Sequence, residues 1–133
     1  MTSDRSIITV LVVEDEALTR LDLAEALRSA DYQVLEAGDA REALGFLQSG
    51  KRVDVVITDI QLGGGLTGWD VAERFRAARS DIPIVYTSGN AVDQGRKVPG
   101  SVFFGKPCRT IDILKVCRGF GRTGKPEPRA TAT

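Results

Sequence analysis

The stretch IITVLVVEDE, residues 7–16, sets an uncharged run directly against three consecutive carboxylates. Val10, Leu11, Val12 and Val13 show no polar alternation, so they read as a strand buried on both faces, the pattern of a parallel sheet. Glu14, Asp15 and Glu16 then crowd like charge at the strand's end. Packing does not explain that crowding, and something must compensate it.

Outward from this run, apolar stretches of strand length alternate with amphipathic stretches of helix length. IITVLVV (7–13) precedes a helix over 17–30, in which Ala17, Leu21, Ala24 and Leu27 or Arg28 fall one turn apart. A weaker strand, YQVLEA (32–37), leads to a helix over 39–50, with Asp39 as N-cap, Glu42 completing a capping box and Gly50 as stop. VDVVITD (53–59) is a buried strand. It is followed by a helix over 68–80 with Trp69, Ala72, Phe75 and Arg76 on adjacent turns. IPIVYTSG (82–89) and SVFFGK (101–106) are the fourth and fifth strands, and 110–120 is a last short helix. Between those strands, 90–100 makes a poor helix, because Gly95 interrupts it and Pro99 ends it. The alternation predicts an α/β fold, a doubly wound five-stranded parallel sheet of flavodoxin-like type.

Length and composition are consistent with this. A chain of 133 residues, 42% hydrophobic and 27% charged, suits one domain with a proper core. Lys plus Arg and Asp plus Glu both number 18, so net charge gives no pull toward nucleic acid or an anionic membrane. No stretch approaches the roughly 20 apolar residues of a spanning helix, and MTSDRS lacks the form of a signal peptide. The expectation is therefore no nucleic acid, no membrane and a cytoplasmic location. Residues 1–6 are expected as an N-terminal extension, 7–118 as the domain and 119–133 as a disordered tail poor in large apolar residues. Histidine is absent, which excludes Ser-His-Asp and Cys-His nucleophilic catalysis. The two cysteines, Cys108 and Cys117, make neither a disulfide framework nor a zinc site and are expected to be inert thiols.

In an open α/β sheet, ligands sit at the carboxyl ends of the strands. Those ends carry Glu14 and Asp15, then Asp59, then Thr87, Ser88 and Gly89, then Lys106 and Pro107. Three carboxylates together favour a hard divalent cation, and Mg²⁺ suits two or three carboxylates plus a carbonyl. Such a cation lets Asp15 and Asp59 stay ionised side by side. Lys106 adds a point charge for an anion and Ser88 a hydroxyl donor. A carboxylate so flanked is arranged to attack phosphorus and to hold the phosphoryl oxygens.

The segments VLVVEDE, VVITDIQL, IVYTSG and FFGKP, in this order and spacing, resemble the receiver domain of bacterial two-component response regulators. The resemblance covers 7 to about 118. It implies the five-stranded (βα)5 receiver fold and Mg²⁺-dependent transfer of a phosphoryl group from a phosphohistidine on a partner. It implies Asp59 as phosphoacceptor, and Glu14, Asp15, Asp59 and the backbone carbonyl of Gln61 as metal ligands. Ser88 is then the hydroxyl that moves toward the phosphoryl group, Lys106 its lysine, Pro107 a cis proline and Phe103 the aromatic that reorients. Thr87 competes with Ser88; counting from Pro83 favours Ser88, because strand alternation points Thr87 the other way. Gln61 and Asn90 are placed to tune the lifetime of the phosphoryl group.

Two departures stand out. LGGGLTG places Gly68 one residue later than the family's usual glycine, within a Gly-rich loop, and the segment at 90–100 is a weak helix in a surface that carries the family's output. The implied protein is a stand-alone phosphorelay receiver, not an enzyme on other substrates. It signals by contact with a downstream protein target, receives from a histidine kinase or phosphotransfer protein, and is a monomer or weak dimer.

Each motif alone has a plainer meaning. Glu14-Asp15 suits a helix N-terminus, Asp59 a cap, Lys106-Pro107 a turn, and Arg74, Arg76 and Arg79 a solvated helix face. GGGLTG lacks the Lys-Ser/Thr of a P-loop. A flavin-binding electron carrier would share the fold but would follow its first strand with a Ser/Thr/Gly-rich loop. An Asp-nucleophile phosphatase would place an acid where Gln61 stands.

Overall fold

The computed structural model describes residues 7–90 and 94–120. The elements run β1 (Thr9–Val13), α1 (Ala17–Ser29), β2 (Gln33–Ala37), α2 (Ala40–Gln48), β3 (Val55–Asp59), α3 (Gly68–Ala78) and β4 (Ile84–Ser88). A short 3-10 turn (Gln94–Arg96), β5 (Val102–Gly105) and α4 (Thr110–Phe120) complete the order. The five strands form one sheet in the order β2-β1-β3-β4-β5, and every pairing is parallel. The expected fold class is the observed one.

Strand alternation divides the core in two. Leu11, Val13, Val56, Ile84 and Tyr86 face α2 and α3, where they meet Ala43, Leu44, Trp69, Ala72 and Phe75. Val10, Val12, Ile57 and Val85 face α1 and α4, where they meet Leu23, Leu27, Ile113, Leu114 and Cys117. Each fully buried Val, Leu or Ile in these layers contributes about 1.5–3 kcal/mol by leaving water. Trp69 tilts against Tyr86 with ring centroids 4.7 Å apart.

Local differences from the sequence expectations have physical causes. The buried stripe of α1 is Leu23, Ala24 and Leu27 rather than one running through Ala17 and Leu21. Leu21 is 46% exposed and Leu18 72% exposed, because α1 has two apolar stripes and only one can face the sheet. Glu42 does not reach back to the N-cap residue's own amide; its side chain accepts from Gly38 N–H, while Asp39 accepts from Glu42 N–H. The full capping box sits on α3, where Thr67 and Asp70 satisfy each other's backbone N–H groups.

Arg76 and Arg79 are not free surface charges. Arg76 donates to the Ile82 carbonyl, and Arg79 to the carbonyls of Val53 and Asp54, tying α3 to the sheet's lower edge. Where a further helix belongs between β4 and β5, the described residues hold only the Gln94–Arg96 turn. Helix α4 carries Gly119 and Phe120, and Phe120 is buried, so those two residues belong to the fold. The expected extension, 1–6, and the rest of the expected tail, 121–133, lie outside the described residues. Among the described residues no helix is long and apolar enough to cross a membrane.

Candidate functional site

The chain goes from β1 to β2 on one side and returns to β3 on the other, so the topological switch lies between β1 and β3. The carboxyl ends of those two strands carry Glu14, Asp15 and Asp59. One ligand oxygen from each of the three lies within 4.8 Å of the others. Glu14 is 5% exposed and Asp59 7% exposed, while Asp15 is open to solvent.

Hydrogen bonds that continue the sheet ladders past the strand ends pin this constellation. Glu14 N–H donates to the Ala37 carbonyl, Ile60 N–H to Thr87, and Lys106 N–H to Ser88. Arg20 of α1 caps the Glu14 carbonyl at 2.9 Å and pairs with Glu36 of β2 at 3.2 Å. Arg20 was not expected in the site; its only signal was a lone cation in the first turns of a helix that faces three acids.

Lys106 Nζ donates to Glu14 at 2.6 Å and to Asp59 at 3.2 Å. Burial raises the pKa of the Glu14 carboxyl, and the bonds from Lys106 and from Glu16 N–H oppose it only in part. Burial works against the Lys106 ammonium as well, but its bond to Glu14 and the charge of Asp59 outweigh that and raise its pKa. The peptide bond from Lys106 to Pro107 is cis.

Ser88 and Thr87 face different surroundings. Ser88 is 1% exposed and its hydroxyl lies 3.3 Å from Gln61 Oε1, on the loop that follows Asp59. Thr87 lines a cavity of about 150 Å³ between α1, α4 and the sheet, with Leu23, Ile57 and Ile113 and with Glu14 and Lys106 of the acidic cluster. Phe103 and Phe104 are both half-buried, on opposite faces of β5, and Phe103 packs with the α2–α3 layer.

The loop from Asp59 to α3 is held closely. Gly68 N–H donates to the Ile60 carbonyl at 2.8 Å. A Cβ on Gly68 would overlap the Asp59 carbonyl oxygen and lie 2.9 Å from Ile60 Cα, so only glycine fits there. Gly63, Gly64 and Gly65 all have positive φ, a conformation that glycine alone adopts without strain.

The donor set suits magnesium. Glu14 already accepts from Lys106 with one oxygen and from Glu16 N–H with the other. A carboxylate oxygen keeps a second lone pair after accepting one such bond. Glu14, Asp15 and Asp59 therefore all remain oxygen donors, with Asp15 open to solvent, and Mg²⁺ takes such donors while keeping several waters.

These features define an acidic, lysine-capped site at the switch point of a doubly wound sheet, and comparison with known proteins gives the family. Residues 10–117 match the response regulator receiver domain, and the chain belongs to that family. It is 34% identical over 110 residues to the transcriptional regulatory protein PdtaR of Mycobacterium tuberculosis, covering 79% of this chain and 52% of that protein. It is 35% identical over 99 residues to the sensor kinase CckA of Brucella abortus, covering 73% of this chain and 10% of that protein. The chain thus spans about half or less of these relatives. A response regulator receiver protein from Sinorhizobium medicae, known by crystal structure, superposes with a TM-score of 0.79 at 32% identity, covering 82% of this chain and 90% of that one.

Proposed function

We propose that the chain is a phosphorylatable receiver that accepts a phosphoryl group on Asp59 from the phosphohistidine of a kinase or phosphotransfer protein. The observation that carries this is the position of Asp59. It is nearly buried at the end of the central strand, 3.2 Å from the Lys106 ammonium and clustered with two further carboxylates. An Asp59 oxygen attacks phosphorus, the P–O bond forms as the P–N bond breaks, and the imidazole leaves with the electron pair. Lys106 stays beside the reacting carboxylate and offers its ammonium to a phosphoryl oxygen. Magnesium held by Glu14, Asp15, Asp59 and the Gln61 carbonyl would offset the charge gathered there. Ser88 supplies the hydroxyl that closes on the product, and Phe103 follows it. The signal then passes by contact with another protein.

Relatives that are regulators and kinases support the partner class. A flavin carrier or a phosphatase finds no supporting group here, since acids follow β1 and Gln61 stands two residues after Asp59.

The test is labelling with radioactive acetyl phosphate and magnesium. The chain takes up label, and Asp59→Asn takes up none while keeping its circular dichroism spectrum. Label retained by Asp59→Asn would place the acceptor elsewhere.

A further inference from the structure

A hydroxyl has one proton to give, and in this structure the proton of Ser88 is already engaged. Ser88 Oγ lies 3.3 Å from Gln61 Oε1 and 3.2 Å from the Asn90 carbonyl. It also accepts from Asn90 N–H at 3.2 Å, the local turn that serine side chains favour. Asn90 Nδ2 donates to the same Gln61 Oε1 at 3.0 Å. The single Ser88 proton is shared between the Asn90 carbonyl and Gln61 Oε1. When it turns to Gln61, two donors converge on one amide oxygen, which ties the loop after Asp59 to the end of β4 across 27 positions of sequence. Gln61 and Asn90 are exposed, whereas Ser88 is almost fully buried.

We propose that Gln61 is a positioning residue, a latch whose side-chain amide oxygen holds Ser88 and Asn90 in the resting arrangement and must release Ser88 before its hydroxyl can turn to a phosphoryl group on Asp59. This deepens the phosphoacceptor reading and rests on it. Asp59 pairs with Thr87 in the β3–β4 register, so Ser88 is the next residue toward the site. Phosphoryl oxygens on Asp59 compete with Gln61 for the same proton. Gln61 hangs on the backbone that carries Asp59, so the group that restrains the hydroxyl and the group that attracts it share one loop. The latch thus acts against the phosphorylated arrangement through Ser88 and not through the fold at large.

The experiment uses the full chain with Mg²⁺ and beryllofluoride, a phosphoryl mimic, read by calorimetry. Gln61→Met removes the acceptor at similar volume. It tightens beryllofluoride binding about two- to tenfold, the range of one modest hydrogen bond, with the thermal midpoint essentially unchanged. In the Ser88→Ala background the same substitution has no effect, because its action runs through the hydroxyl. In metal-free protein, Gln61→Met speeds hydrogen exchange at the Asn90 amide, a readout independent of any phosphoryl group.

Binding that is unchanged or weaker in Gln61→Met, a gain that persists without the Ser88 hydroxyl, or unaltered Asn90 exchange each overturns the latch while leaving Asp59 as acceptor. Failure of the unsubstituted chain to bind beryllofluoride overturns the phosphoacceptor reading and the latch with it.

Discussion

Lys106 and Glu14 stand 92 positions apart in the chain and meet at 2.6 Å. Glu14 is nearly buried, its pKa raised by that burial, and Lys106 is the cation that holds its charge in place. Asp59, on β3, one of the two strands between them in the sheet, shares the same ammonium at 3.2 Å.

Removing the ammonium leaves two neighbouring acids without their counter-charge. Lys106→Met is expected to destabilise the fold by about 1–3 kcal/mol, the range for a buried group stripped of its partner. Urea denaturation measures this. Adding Glu14→Gln should recover much of the loss, giving a clear coupling energy in the double-mutant cycle. Strict additivity of the two changes would show that the pair does not interact.

Gly68 is a steric requirement of the Asp59 loop. Gly68→Ala forces the new methyl into the Asp59 carbonyl. At least about 2 kcal/mol should be lost, since backbone cannot move aside as a flexible side chain can. The shift in urea midpoint checks it, and Gly64→Ala is the contrast. There the added carbon meets open space and the only obstacle is the left-handed φ of 70°, so the loss is nearer about 1 kcal/mol.

Asp70 supplies a pH dependence. The Thr67 backbone N–H, partly opposed by burial and aided by Arg96, lowers its pKa below the ordinary 3.8. A depressed carboxyl pKa means that the folded state favours the charged form. Its stability contribution is therefore present above about pH 4 and lost as pH falls through the depressed value. Asp70→Asn should cost about 0.3–1 kcal/mol at pH 7. The gap to the unsubstituted protein should close on acidification toward pH 3, as followed by denaturant titrations across that range.

The two thiols should react in a fixed order. Burial pushes Cys117 up to about 12 and also raises Cys108, which is only half-buried beside Lys106. A disulfide reagent at pH 8 is expected to modify Cys108 slowly in the native protein. Cys117 should react only under unfolding conditions. Mass spectrometry of the labelled peptides tests the order; native labelling of Cys117 ahead of Cys108 contradicts it.

The three central strands were legible because a parallel sheet buried on both faces needs uninterrupted apolar runs, while the edge strand β2, interrupted by Gln33 and Glu36, was the weaker signal. Asp59, Asp15 and Lys106 could be named because polar residues that end such runs have only one rim to occupy. What periodicity could not settle was which of two apolar stripes on α1 faces inward, since Leu18 and Leu21 compete with Leu23 and Leu27 until the neighbouring α4 is known. Contacts across long separations were also hidden. The Gln61 side chain bridging to Ser88, Arg96 reaching Asp70 and Glu73, and Tyr86 accepting from Val98 N–H depend on how loops come together. Lys106 was expected to pair with an anion, and its contacts with Glu14 and Asp59 were not part of that expectation.

The distance in sequence between Glu14 and Lys106 has a consequence for synthesis. β1 carries at its end an acid whose counter-ion follows only after β5. Until β5 docks, a nascent chain must keep that carboxylate hydrated or protonated, and the sheet stays open at its fifth strand. A chain cut before the lysine would leave Glu14 without its cation, so the electrostatics of the site couple the first strand of the sheet to the docking of the fifth.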